Sequence, residues 1–254
     1  MRTLDITIDL ETCSLSSHAA IMQIAAVAWD RFAPDAEHIF PSIDTKMNGT
    51  QIMDFEHPAT IPEHTWHFCE NIDLHHLFVN GGMDFSQETS DWWRKQSPEA
   101  KRAVLGNGGK MPLDRAMMHL DAWIDKSMRL AGVENVNIWC QGSDFDIPIL
   151  RHAAEVNDIK CKPVSVPHKF YRDCRTFIYE MTLLYVRNLM NEDEGAVNDL
   201  LNNPLLAYKI LPEMPESFGG KENAHGALYD CVRSSWFTWQ AMHSPETVKK
   251  DKEG

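Results

Sequence analysis

Long hydrophobic segments are absent from this sequence. Its apolar runs, such as IAAVAW at residues 24–29, are far shorter than the roughly 20 residues that a membrane-spanning helix needs. The first residues, MRTLDITIDLE, contain no apolar region of the kind that a secretory signal carries. We therefore expect a protein of the cytoplasm that does not insert into a membrane.

Paired cysteines are absent as well. The six cysteines are scattered, and no two of them stand in a C-x-x-C spacing. Neither a disulfide framework nor a zinc site of paired cysteines is predicted, and reduced thiols suit a cytosolic protein. A weaker zinc candidate is the set His57, His64, His67 and Cys69 in HPATIPEHTWHFC. Because no second paired motif completes a tetrahedral ligand set, an exposed alternating strand is favoured for this segment.

Positive charge is scarce. Lysine and arginine together number 24 against 37 aspartates and glutamates, which leaves a net charge of -13. This balance argues against a broad basic face, because binding many phosphates requires many cationic side chains. It does not exclude an enzyme that acts on nucleic acid through bound metal ions, since the protein then supplies carboxylates and the ions supply positive charge. Substrate contact should then be weak, local and sensitive to salt.

A chain of 254 residues favours one elaborated domain. We predict a single domain over residues 1–243, with insertions near 31–80 and 191–220 and a flexible tail at 244–254. Alternating apolar residues from Leu4 to Leu10 predict a strand, and on such a strand Asp9 and Glu11 lie on the same face. Residues 21–29 predict a second, more buried strand.

The remaining segments alternate between strand and helix patterns. Pro98 should interrupt or restart a helix over 89–105 whose cap is Thr89 or Ser90. This order predicts an α/β fold with a mixed sheet flanked by helices. The other predictions are short strands near 38–43 and 65–69, helices over 113–130, 145–156, 171–187 and 227–242, a strand over 135–140, and a polar lobe or lid over 191–220.

Five acidic or histidine positions in three separated segments carry the chemistry. They are Asp9 and Glu11 in ITIDLET, an aspartate in GSDFD, and His225 with Asp230 in AHGALYD. A D-x-E pair alone is common on a solvated strand face. Four carboxylates that converge, however, can hold two hard divalent cations, and a nearby histidine supplies a base that titrates near neutrality. Together they suit phosphodiester hydrolysis.

Two points stay open at this level. Asp144 and Asp146 both follow the strand at 135–140, and Asp146 could simply cap the next helix, so spacing does not choose between them. His225 and Asp230 are five residues apart, which places them roughly 140° apart around a helix axis. If His225 stands in the glycine-rich loop and Asp230 in the first turns of the helix, the histidine can fold back over the site.

Three motifs in order, ITIDLETCSL, WCQGSDFDIPIL and AHGALYD, resemble those of the DnaQ-like 3'-5' exonucleases, in the subtype with four acids and a histidine (DEDDh). The segments WWRKQSPEAKRAVL and FYRDCRTF strengthen the likeness, which is greatest to the T-even bacteriophage exonucleases of this family. The resemblance implies a ribonuclease H-like fold. It further implies metal binding by Asp9, Glu11, Asp146 and Asp230, with His225 as general base.

The same resemblance implies two Mg²⁺ ions, with Mn²⁺ accepted, and release of nucleoside 5'-monophosphates from a free 3' end. DNA is the expected substrate in preference to RNA, and phage origin would place the protein in the host cytoplasm. The alternatives are a 3'-5' exoribonuclease and a non-catalytic nucleic-acid-binding module on a nuclease fold. The oligomeric state is left open.

Further residues are candidates for substrate contact. Trp92 could stack on a terminal base, although at least one of Trp92 and Trp93 should pack in the core. Arg172 and Arg175 could bind phosphates, or pair with Asp173 and nearby acids. Thr12, directly after the first acidic pair, joins this substrate-binding set.

Overall fold

The computed structural model describes residues 3–40, 66–75, 77, 82–106, 110–189, 194–219 and 224–252. Six strands form one mixed sheet in the order β4-β3-β2-β1-β5-β6. The strand β1 pairs with β2 antiparallel and with β5 parallel, so it lies at the centre of the sheet. The strands are β1 (Thr3–Thr12), β2 (Ile21–Trp29), β3 (His67–Ile72), β4 (Lys110–Met111), β5 (Asn135–Cys140) and β6 (Tyr171–Asp173).

Helices cover both faces of this sheet. The longer ones among the described residues are α1 (Gln87–Arg94), α2 (Pro98–Leu105), α3 (Leu113–Ala131), α4 (Asp146–Val156), α6 (Cys174–Leu189), α7 (Glu194–Asn202) and α9 (Ala227–Lys252). The short helices α5 (Lys162–Ser165) and α8 (Ala207–Ile210) lie between them. In the part of the chain that the structure describes, no helix is long and apolar enough to cross a bilayer.

The sheet has an apolar core on each side. On one side, Ile6 and Ile8 of β1 pack with residues of α3 and α4. On the other, Val27 of β2 and Trp139 of β5 pack with residues of α6 and α9. Because β2 contributes to both cores, its side chains are buried on both faces, as the continuous apolar run predicted.

Several element predictions are confirmed. The strands at 21–29 and 135–140 have the predicted bounds, and the helix at 113–131 extends the prediction by one residue. Pro98 begins a new helix, α2, behind the cap Ser97, whose hydroxyl accepts a hydrogen bond from the Ala100 N–H at 3.0 Å. A proline at the first helical position lacks only an N–H that would have no partner there.

Other predictions are wrong in detail. The cap of α1 is Ser86, whose hydroxyl accepts from the Thr89 N–H, so the helix begins earlier than predicted. Tyr171 begins a strand beside β5 rather than a helix. The helix begins only at Cys174, because the Asp173 carboxylate accepts from the Thr176 N–H at 2.7 Å and so caps that helix.

The two predicted insertions are described in part, and one strand predicted within them is wrong. Ala36–His38 is a short 3-10 helix, which contradicts the strand predicted from residue 38, and residues 41–43 lie outside the described residues. The strand predicted near 65–69 exists as β3. The predicted lobe at 191–220 contains α7 and α8. The helix α9 runs on to Lys252, past the predicted end at 242.

Candidate active site

Three carboxylates meet where β1 ends. Asp9 and Glu11 lie near the end of this strand and face Asp230, which lies in the first turn of α9. One oxygen from each carboxylate lies within 4.8 Å of the other two, and the set could hold a metal ion. Two members of the weaker zinc candidate, His57 and His64, lie outside the described residues.

A buried glutamine fixes the start of α9 against β1. Gln23 of β2 is directly opposite Glu11 in the strand register, and its side-chain oxygen accepts from the Ala227 N–H at 2.9 Å. Its amide nitrogen donates to Asn71 Oδ1 at 2.8 Å and to the Ala103 carbonyl at 3.0 Å. Sequence reasoning missed this residue, although a lone glutamine inside an apolar strand was a usable signal.

Asp146, and not Asp144, lies beside the three carboxylates. Asp146 is 3% exposed and is the first residue of α4, and its carboxylate accepts a hydrogen bond from the Leu10 N–H. The pairing of β1 with β5 ends at Thr7, so beyond that residue this side of β1 lacks a strand partner. The Asp146 carboxylate supplies an acceptor there. Asp144 is exposed in the preceding loop.

The four carboxyl groups are crowded and poorly solvated. Burial, followed by the charges of Asp146 and Asp230, raises the pKa of Asp9 well above its usual range. Burial and the same two neighbours raise the pKa of Glu11 to about 9.

The other two members of the cluster share this environment. Burial raises the pKa of Asp146 to about 7, although the Leu10 N–H and the charge of Arg175 act in the opposite direction. Burial likewise raises the pKa of Asp230, against the lowering effect of Arg233 and His225. Such a cluster is unfavourable unless protons or cations reduce its charge, and oxygen ligands of this kind suit hard divalent cations.

His225 lies in the loop before α9, as the five-residue spacing required. Its backbone adopts a left-handed conformation with φ of 66°, and its N–H donates to the Asp230 carboxylate. The exposed ring lies edge-on to the ring of Trp92, with 5.2 Å between the centroids and 86° between the planes. The histidine therefore stands beside the carboxylates and remains accessible.

The two tryptophans have different environments. Trp92 is 42% exposed, whereas Trp93 is buried against Met22, so the expectation that one of them packs in the core is confirmed. The Trp93 indole N–H donates to the Thr12 carbonyl at 3.3 Å. Thr12 itself is buried, and its hydroxyl donates to the Ser14 carbonyl at 2.8 Å.

The two candidate arginines also differ. Arg175 lies close enough to Asp146 to lower its pKa, and its guanidinium donates to the Gln141 carbonyl at 3.2 Å. Arg172 donates instead to the carbonyls of Lys169 and Tyr171, the latter at 2.8 Å. Of the two, the structure brings Arg175 to the carboxylates.

Residues 4–199 match the family described as the 3'-5' exoribonuclease Rv2179c-like domain. The chain belongs to this family. It is a 3'-5' exonuclease, so the predicted resemblance to 3'-5' exonucleases is confirmed, and the mixed sheet flanked by helices is the predicted architecture.

Individual relatives include an exodeoxyribonuclease of Enterobacteria phage T4. It is 27% identical over 244 residues, which cover 90% of this chain and 85% of that protein. Among solved structures, the nuclease domain of 3'hExo, a DEDDh family member bound to rAMP, is 10% identical with a TM-score of 0.46, over 95% of this chain and 92% of that one. Cell-death related nuclease 4 is 12% identical with a TM-score of 0.47, over 95% of this chain and 64% of that one.

Proposed function

We propose that this exonuclease is metal-dependent and removes nucleoside 5'-monophosphates from the 3' ends of DNA. The observation that carries the proposal is the convergence of Asp9, Glu11 and Asp230 within 4.8 Å, with Asp146 beside them and the accessible His225 at their edge. A buried cluster of like charges has no stabilising role by itself, and its chemistry suits cation binding.

The residues present fit two divalent cations. Asp9, Glu11, Asp146 and Asp230 offer only oxygen ligands, which Mg²⁺ and Mn²⁺ favour over nitrogen or sulfur. When bound, such a pair of cations stabilises the charge that develops on the attacking and leaving oxygens of a phosphodiester.

His225 has the role of general base in this proposal. In its neutral form an imidazole nitrogen accepts the proton of the attacking water. The loop conformation keeps the ring outside the helix, and the hydrogen bond from its N–H to Asp230 fixes the loop to the carboxylate cluster. The Trp92 ring restricts where the imidazole can turn and offers a face for a terminal base.

DNA is the preferred substrate in this proposal because the phage T4 relative is an exodeoxyribonuclease. The second candidate is 3'-5' exoribonuclease activity, which the description of the family favours. The phage relative also supports a location in the host cytoplasm. The occupied catalytic positions favour an enzyme over a non-catalytic binding module.

The test is parallel digestion of end-labelled single-stranded DNA, duplex DNA and RNA of one sequence with Mg²⁺, with Mn²⁺ and with EDTA. We expect mononucleotides to be released from the 3' end, fastest from DNA, and no cleavage in EDTA. A circular single strand should survive under the same conditions. Faster RNA digestion would favour the second candidate, and cleavage of circles at the rate of linear strands would refute an exonuclease.

A further inference from the structure

A cavity of about 890 Å³ opens on one flank of the carboxylates. Its volume falls in the range of about 300–1,000 Å³ that is usual for ligand sites. Gln141 follows β5 and Arg175 lies in the first turn of α6, so the cavity lies on the β5 and β6 side of β1. Trp92 and His225 lie on the other flank, because the neighbouring Trp93 packs against Met22 of β2.

Three cationic side chains line this cavity although the chain as a whole is strongly acidic. Arg175, Lys209 and Arg233 line it together with the acids Glu213 and Glu216. The two arginines are also the cations that lower the pKa values of Asp146 and Asp230. They therefore stand between the carboxylate cluster and the cavity.

The surroundings of Arg233 suit a guanidinium that is held in one orientation as a hydrogen-bond donor. Its guanidinium lies over the ring of Tyr208, at 4.9 Å from the centroid, and over the ring of Phe237, at 5.1 Å. Stacking of a guanidinium on aromatic rings restricts its orientation while its N–H groups stay able to donate, an arrangement that suits phosphate recognition. Within the described ranges, neither Arg175 nor Arg233 forms an ion pair with a carboxylate.

One wall of the cavity is formed by residues from the later part of the chain. Leu205, Tyr208, Lys209, Met214 and Gly219 line it, and all of them follow the segment that matches the family. This is the polar lobe whose role the sequence motifs did not explain. The site thus combines arginines next to the catalytic carboxylates with a wall that the family motifs do not supply.

We infer that this cavity binds the substrate strand upstream of the scissile bond, with Arg175 and Arg233 contacting its backbone phosphates. The inference rests on the proposed function, since the 3'-terminal nucleotide must first reach the carboxylates. The nucleic-acid strand upstream of that nucleotide then leaves the active site along one flank. The flank with Trp92 and His225 offers an aromatic face, whereas the cavity flank offers the cations that phosphodiesters require.

The test compares two substrates in the variants Arg175→Gln and Arg233→Gln. One substrate is a single-stranded DNA 12-mer, and the other is the 4-nitrophenyl ester of thymidine 5'-monophosphate, which has no upstream phosphate. We expect KM for the 12-mer to rise by about tenfold to a hundredfold, the usual loss for a charged hydrogen bond. The ester reports only the effect of the arginines on Asp146 and Asp230, so its KM should rise by a much smaller factor than the KM for the 12-mer. Arg129→Gln, an exposed change at the end of α3, is the matched control and should affect neither.

Direct binding gives a readout that does not depend on turnover. Affinity for a phosphorothioate 12-mer is measured in Ca²⁺ at several salt concentrations. Each lost phosphate contact should reduce the slope of log Kd against log salt by about 0.7. Thermal melting of each variant establishes that it is folded, and Arg175→Lys should restore most of the slope.

Two results would overturn the inference. Equal losses on the ester and the 12-mer would mean that the arginines act on the carboxylates and not on the strand. Unchanged 12-mer affinity and salt slope in folded variants would mean that the cavity does not contact the strand. If wild-type protein hydrolyses neither substrate, the proposed function fails, while the binding measurement still decides whether the cavity holds the strand.

Discussion

Replacing Glu11 by glutamine should stabilise the metal-free protein while abolishing its metal-dependent activity. The carboxylate of Glu11 is buried beside Asp230 and Asp146, and its pKa is raised from 4.5 to about 9. The folded state holds this proton more tightly than the unfolded state. The contribution of Glu11 to folding stability is therefore fully present below pH 4.5 and is lost as the pH rises toward 9. A glutamine keeps the shape of the side chain and has no charge to lose.

The expected gain follows from the same pKa values. At pH 7.5 the group is three units above its ordinary pKa of 4.5 and still below its raised value of about 9. At about 1.4 kcal/mol for each unit, the upper bound on the penalty that Glu11→Gln removes is about 4 kcal/mol. A change of 1 kcal/mol shifts the melting temperature of a protein of this size by roughly 2–4 °C. We therefore expect a rise of about 3–10 °C in EDTA at pH 7.5.

Thermal melting of wild type and Glu11→Gln across pH 4 to 8.5, with EDTA and with excess Mg²⁺, is the assay. The difference in melting temperature between the variant and wild type should disappear near pH 4.5. Saturating Mg²⁺ should stabilise wild type by about 3 kcal/mol at a hundredfold excess over Kd, and the variant by less. Glu134→Gln, an exposed change just before β5, should behave as wild type. A variant that is less stable at pH 7.5 in EDTA, or an advantage independent of pH, would refute the reasoning.

The remaining predictions concern residues around the cluster. Asp146→Asn should abolish hydrolysis and Asp144→Asn should leave it near normal; the reverse pattern in single-turnover assays would reassign the ligand. His225→Ala should slow turnover by about a hundredfold to ten-thousandfold with little change in metal affinity, and near-normal turnover at saturating Mg²⁺ would exclude it as the base. Gln23→Met should lower stability by about 2–5 kcal/mol, because it leaves the buried Ala227 N–H without an acceptor and removes the hydrogen bonds to Asn71 and Ala103. Urea unfolding tests this, and a loss below 1 kcal/mol would contradict it.

The period-two pattern of β1 was readable from sequence, but the burial of its polar face was not. Asp5 on that face is 1% exposed and accepts hydrogen bonds from Asn137 at 3.0 Å and Trp139 at 2.7 Å, besides its ion pair with Arg31. Thr7 accepts from the hydroxyl of Ser235 in α9 at 2.8 Å. Burial of this face depends on a helix more than 200 residues later in the chain, which no local pattern reports.

The choice between Asp144 and Asp146 shows the same limit at the scale of one hydrogen bond. Both residues follow an apolar strand and precede an apolar helix, so their local patterns are alike. What separates them is the point at which β5 stops pairing with β1, so that the Leu10 N–H donates to a side chain instead of to a strand. Strand register is a property of the assembled sheet. The resemblance to a family favoured Asp146 from the sequence, because the family motif has its aspartate at the position that this register selects.

The energetics of the cluster explain why so many other groups hold its backbone in place. Mutual repulsion and burial oppose the approach of Asp9, Glu11 and Asp230, so their backbones must be fixed by interactions that do not involve the carboxylates. Antiparallel pairing of β1 with β2 fixes the first two, and the contact between Gln23 and Ala227 fixes the start of the helix that bears the third. A site held in this way keeps its geometry when protons leave, and cation binding then relieves repulsion without requiring a rearrangement. In the proposed function, the fold thus fixes the positions of the carboxylates and the cations balance their charge.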